Sequence, residues 1–141
     1  MKVYIAGASK EVLLIETLRN DLVRAGCEIT YDWTISVRAN SARPDSEIAP
    51  AERASYAALD LAGVEMCDLF WLVTPAQPSV GSFVELGAAL SLRARTSEPA
   101  PRVVISGPWR TIFGDLADAN YPTHEEALAA ITAEQALRVT R

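Results

Sequence analysis

The run Leu69-Phe70-Trp71-Leu72-Val73 contains no polar residue. A strand that is apolar on both faces must be covered on both faces, which is the condition of a parallel sheet between two helical layers. The rest of the chain agrees. Residues 3–6 read as a first strand and Gly7-Ala8-Ser9 as a turn. Residues 11–25 carry Val12, Ile15, Leu18 and Leu22 at helical spacing, with Gly26 as a stop. Residues 27–33 read as a second strand. Residues 34–50 are polar, hold Arg38, Arg43, Pro44 and Pro50, and predict a long loop of the kind that often carries function. A helix over 51–66, a third strand over 68–74 and a helix over 82–95 follow. Beyond a connection at 96–101 come a fourth strand over 102–106, a short helix over 111–117 and a brief fifth strand at 120–121. Thr123 and Glu126 have the spacing of a capping box, opening a last helix to about residue 137. Alternation of strand and helix predicts an α/β fold with a five-stranded parallel sheet in the order 2-1-3-4-5, and 141 residues suit one domain over 1–141.

In open α/β sheets ligands bind beyond the carboxyl ends of the strands, where the strand order reverses. Here that point lies between strands 1 and 3. It gathers Tyr4, Gly7, Ser9 and Lys10 from the first strand and its turn, with Thr74, Ser79, Gly81, Ser82 and Glu85 from the third. Glu85 falls in the first turn of the predicted helix. It reads either as a carboxylate complementing the helix dipole or as a nucleophile in an apolar, glycine-lined mouth. Ser79 and Gly81 lie in a turn able to present amides and a hydroxyl to an anion. Asp60, between Leu59 and Leu61, reads as a solvated helix residue or as a second carboxyl near the pocket; paired carboxyls divide acid and nucleophile roles when their surroundings separate their pKa values. Tyr4 is a core aromatic or a phenol that orients a carboxylate. Trp33 is a lid on the core or a stacking surface for a base. Lys10, Arg38 and Arg43 are solvated charges or phosphate ligands.

Other chemistries are disfavoured. The net charge of −5 lacks the dense basic face that a nucleic acid polymer requires. Cys27 and Cys67 have no CxxC spacing and predict buried, reduced thiols. One histidine, His124, predicted on the surface, gives neither a zinc site nor a Ser-His-Asp set. The P-loop and GxGxxG patterns are absent. No apolar run is long enough to span a membrane, and the N-terminus has no signal-peptide core, which predicts a cytosolic protein.

Lys2-Val3-Tyr4-Ile5-Ala6-Gly7, Asp60 and Ser79-x-Gly81-x-x-x-Glu85-Leu86-Gly87-x-Ala89 together resemble the nucleoside 2-deoxyribosyltransferase family, which includes the 2′-deoxynucleoside 5′-phosphate N-hydrolases. The likeness runs in order to about residue 137. It implies a flavodoxin-like three-layer αβα sandwich that needs no cofactor and no metal. It implies Glu85 as nucleophile on the anomeric carbon, Tyr4 positioning it, and Asp60 contacting the sugar or protonating the leaving base. Gly7, Ser9, Lys10, Trp33, Ser79, Gly81 and Ser82 would line the substrate. Pro78-Ser79-Val80-Gly81 matches the phosphate-hydrolase branch, whereas Ala8-Ser9-Lys10 stands where that branch has a Gly/Arg-rich turn. The resemblance implies release of a free base from a 2′-deoxynucleoside 5′-monophosphate. Its alternatives are base exchange between nucleosides and nucleotide binding without turnover. It also implies a homodimer or larger assembly of identical chains.

Overall fold

In the computed structural model of the chain, which describes residues 1–76, 79–95, 100–108 and 111–140, five parallel strands lie in the order β2-β1-β3-β4-β5. They are β1 (Lys2–Ala6), β2 (Glu28–Ile29), β3 (Leu69–Val73), β4 (Arg102–Ser106) and β5 (Ala119–Tyr121). The helices are α1 (Val12–Arg24), α2 (Thr34–Ala39), α3 (Pro50–Glu65), α4 (Val80–Arg95) and α5 (His124–Val139). Three-residue 3-10 turns at Ser9–Glu11 and Asp45–Glu47, and a longer one at Ile112–Leu116, complete the described chain. Helices α3 and α4 pack together over one face of the sheet, while α1 packs with α5 over the other and carries α2 beside it. This is the parallel α/β architecture that the alternation predicts and the flavodoxin-like three-layer sandwich that the resemblance implies.

All five residues of β3 are buried, as a strand covered on both faces must be. Its register runs Val3↔Leu69 to Ala6↔Leu72 on one side and Leu69↔Arg102 to Val73↔Ser106 on the other. Gly26, at φ 85°, closes α1 in the left-handed conformation that a Cβ would disfavour. Both cysteines are free and buried; the Cys67 thiol donates to the Val64 carbonyl (3.1 Å), and burial pushes it up to about 12.

Two expected elements differ. The second strand was expected over 27–33, yet only Glu28 and Ile29 pair with β1. The following residues are held by side chains instead. The Thr30 hydroxyl donates to the Gly63 carbonyl (2.8 Å), the Trp33 indole to the Ile5 carbonyl (2.8 Å), and the Asp32 carboxylate accepts the Thr34 amide (3.2 Å), which starts α2. Accordingly the expected loop over 34–50 is partly helical. Its cations are engaged within the fold: Arg38 grips Glu16 through two nitrogens (2.6 and 2.9 Å), and Arg43 pairs with Glu52 (3.1 Å). The expected connection at 96–101 lies, through residue 99, outside the described residues, as do Gln77 and Pro78.

Candidate active site

Along β1 the side chains alternate, so Val3 and Ile5 face α1 and α5 while Tyr4 faces α3 and α4. The Tyr4 ring is fully buried and stacks on Phe70, its register partner, with centroids 5.9 Å apart and planes 9° from parallel. Its hydroxyl donates to Glu85 Oε1 (2.8 Å) and reaches Asp60 Oδ1 (3.2 Å). One strand and two helices therefore bring the three predicted groups together. A phenol has a single proton, so both contacts are full hydrogen bonds only when one of the carboxyls carries a proton as well.

The approach of α3 depends on Gly63. A Cβ there would lie 2.7 Å from the Tyr31 Cβ and 2.8 Å from the Tyr4 ring. Without it the helix closes onto Tyr4, and Asp60, one turn earlier, reaches the hydroxyl. Glu85 was expected in the first turn of its helix, but α4 begins at Val80 and places Glu85 in the second. The dipole of the helix end falls off within the first turn, so capping does not account for this carboxylate.

Burial is the main influence on both acids. It pushes Glu85 up to about 8, against the pull of the Tyr4 hydrogen bond and with help from the Asp60 charge. Burial likewise raises Asp60 above the usual carboxylate range, opposed by its bond from Tyr4. The Tyr4 phenol is raised by burial and by both neighbouring carboxylates, so it acts as a neutral donor. Two acids whose charged forms are disfavoured, joined through one neutral hydroxyl, form a pair that can hold and pass a proton.

A cavity of about 520 Å³ opens between the turn after β1 and the segment after β3, at the reversal of strand order, and Tyr4, Asp60 and Glu85 are not among the residues lining it. Ala8, Ser9, Lys10, Glu11, Pro75, Ala76 and Ser79 line it. Ser9 and Lys10 are exposed there, and Lys10 makes no ion pair with any described residue. The Ser82 hydroxyl is buried and donates to the Ser79 carbonyl (3.0 Å), bracing the start of α4. Gly81 is exposed, with open space where a Cβ would be. Gly7 is close-packed: a Cβ there would meet Ile15 at 2.4 Å. Trp33 is 7% exposed with its N–H on the Ile5 carbonyl, so it belongs to the core beside Gly7.

Three features escaped the sequence reading. Gly63 was visible only as a glycine inside a helix. Glu11, at the head of α1, accepts the Ala76 amide on Oε1 (3.1 Å), while Oε2 is hidden from solvent and has no partner among the described residues. His124, expected on the surface, is half-buried with Nδ1 2.8 Å from the Ser106 hydroxyl, which also accepts the Trp71 N–H (2.8 Å). Among the described residues no group of His, Cys, Asp and Glu side chains could hold a metal, and no helix is long and apolar enough to cross a membrane.

No protein-family model matches the chain, and no curated protein matches it. Among solved structures it resembles a 2-deoxyribosyltransferase from the psychrotolerant bacterium Bacillus psychrosaccharolyticus, at 15% identity and a TM-score of 0.69, over 93% of this chain and 96% of that one. It also resembles the CMP N-glycosidase BcmB of Clostridium botulinum, at 18% identity and a TM-score of 0.57, over 95% of this chain and 99% of that one. At these identities the likeness establishes the shared fold.

Proposed function

We propose that this chain breaks the N-glycosidic bond of a 2′-deoxynucleoside or its 5′-monophosphate, with Glu85 as nucleophile. The carrying observation is the Tyr4 hydroxyl set between Glu85 and Asp60 at the reversal of strand order. Ionised Glu85 attacks the anomeric carbon as the bond to the base nitrogen breaks, its electron pair leaving with the base. When Glu85 is ionised, the proton shared across the Tyr4 hydroxyl sits on Asp60, which gives it to that nitrogen. Tyr4 is a positioning residue that holds the attacking oxygen. Water, deprotonated by Asp60, then cleaves the glycosyl ester and frees the sugar; an acceptor base in place of water would give exchange.

Spacing supports the covalent route. The two carboxyl oxygens can be no farther apart than their distances to the shared hydroxyl, 2.8 and 3.2 Å, allow end to end. That is shorter than the roughly 6.5–9.5 Å that inverting glycosidases need to admit a water and closer to the roughly 5–5.5 Å of retaining ones. The monophosphate is the form implied by Pro78-Ser79-Val80-Gly81, of which Pro78 is outside the described residues. The nucleoside is the other form; the bond broken is the same.

Self-association has support in an apolar surface beside the site. Val80 and Val84 are exposed on one face of α4, and Ile112 and Phe113 are exposed across an apolar cavity of about 460 Å³. The test of the reaction is chromatographic: free base released from deoxy- and ribonucleosides and their monophosphates, with and without an acceptor base. Release by the native chain and its loss in Glu85→Ala supports the reading; no release from any substrate overturns it.

A further inference from the structure

Another cavity, of about 400 Å³, lies between the turn after β1, the helix α2 and the first half of α3. None of Tyr4, Asp60 and Glu85 lines it. We infer that it binds an organic phosphate ester, with Lys10 and Arg38 on the phosphate and an apolar floor under the organic group.

The charge of this cavity runs against that of the chain. The sequence has 18 acidic side chains against 13 of Lys and Arg. Yet Lys10, Arg38 and Arg43 line the cavity, and no acidic side chain among the described residues does. Glu16 and Glu52 hold the two guanidinium groups from outside the lining. Arg38 uses Nε and Nη2 on Glu16, which fixes its plane and leaves Nη1 without a partner among the described residues. An exposed pair of this kind fixes geometry more than it stabilises, and a phosphate can share the fork without breaking it. Lys10 is exposed and makes no ion pair with any described residue, so its charge is uncompensated. Arg43 is held more firmly. It donates to Asn40 Oδ1 (2.7 Å) and to the Glu47 carbonyl (3.0 Å), and Asn40 in turn donates to the Tyr56 hydroxyl (3.1 Å). Arg43 therefore builds the wall, while Lys10 and Arg38 supply the open donors.

The remaining lining is apolar and lies deeper. Ile48 is buried, and Val12, Val37 and Tyr56 are half-buried. The volume falls within the roughly 300–1,000 Å³ of small-molecule sites and is more than a lone phosphate fills. A cationic rim above an apolar floor suits a ligand with one charged end and one apolar end.

Phenyl phosphate is the probe, because it has both ends and no glycosidic bond; its binding is independent of whether the chain releases a base. Calorimetric titration compares it with phenol and with inorganic phosphate. The native chain is expected to bind phenyl phosphate at least about tenfold more tightly than either. Lys10→Gln is expected to weaken that binding by about tenfold or more. Arg38→Gln combined with Glu16→Gln removes an ion pair as a unit and leaves the net charge unchanged; a loss of about fivefold or more is expected from the missing fork. Lys10 and Arg38 are exposed, so both variants are expected to keep the native melting temperature without ligand. Arg38 lines this cavity and not the neighbouring one, which Ser9 and Lys10 also line. A loss in Lys10→Gln alone would therefore place the anion next door and overturn the inference. No binding of phenyl phosphate, or equal binding of phenol or inorganic phosphate, would overturn it as well.

Discussion

The two faces of the sheet use polar groups in opposite ways. On the α1 and α5 face, the Trp71 indole donates to the Ser106 hydroxyl, which meets His124 Nδ1; every group in that chain is neutral and partnered. On the α3 and α4 face, one residue earlier on β1 than the partner of Trp71, the Tyr4 phenol stands between two carboxyls whose charged forms are disfavoured by burial. The first arrangement satisfies its hydrogen bonds and adds to stability. The second keeps two acids where neither ionises readily, which a structural role does not require. The same strands thus build a supporting face and the face on which the proposed reaction would run.

The strongest way to break the comparison is at Glu85. Glu85→Ala is expected to lower base release by on the order of 10⁴-fold, since it removes the proposed nucleophile; single-turnover chromatography measures it, and a loss under tenfold would remove Glu85 from the chemistry. The same position tests stability in the other direction. The folded-state value of Glu85, about 8, lies above its ordinary value of 4.5. Folding therefore favours its protonated form, and the associated stability is present below 4.5 and lost as the pH rises through 8. Glu85→Gln is expected to be more stable than the native chain at pH 9 by up to about 5 kcal/mol, and equal to it near pH 4. Urea unfolding at the two pH values decides this, and an unchanged difference between them would contradict the burial of a strained acid.

A smaller effect belongs to Tyr4. Tyr4→Phe keeps the stack on Phe70 but removes the shared hydroxyl, so a fall of roughly 10²-fold in kcat is expected from lost positioning. Because that hydrogen bond lowers the Glu85 value, the pH at which base release reaches half its maximum should rise from near 8 in the native chain to a higher value in the variant. An unmoved profile would mean that Glu85 is not the group being titrated. The smallest effect is expected on the supporting face. Ser106→Ala leaves the Trp71 N–H without its acceptor and should cost about 1–2 kcal/mol in stability while base release changes less than twofold. A large loss of activity in that variant would show that the two faces are not separate.

Sequence carried the fold further than the site. The unbroken apolar run at β3 and the strand-helix alternation were enough for the sheet order, because parallel sheets constrain what can cover them. Tyr4, Asp60 and Glu85 stood out from apolar surroundings, and the family resemblance singled out their roles. Residues 30–33 were misread as strand: apolar and aromatic side chains there satisfy a strand pattern, yet Thr30 and Trp33 bond to Gly63 and Ile5, and no local rule reveals such distant partners. Glu11 was passed over for the same reason, since its partner Ala76 is far away in the chain. Its neighbour Lys10 drew attention by charge alone.

Gly63 acts as a spacer of zero thickness. The hydrogen in place of a methyl sets how near α3 comes to Tyr4, and so how near Asp60 comes to Glu85. A methyl group there would wedge the helix outward and move the acids toward the separation at which a water fits between acid and sugar. The stereochemical course of the proposed reaction, retention or inversion at the anomeric carbon, would then follow from a single carbon atom.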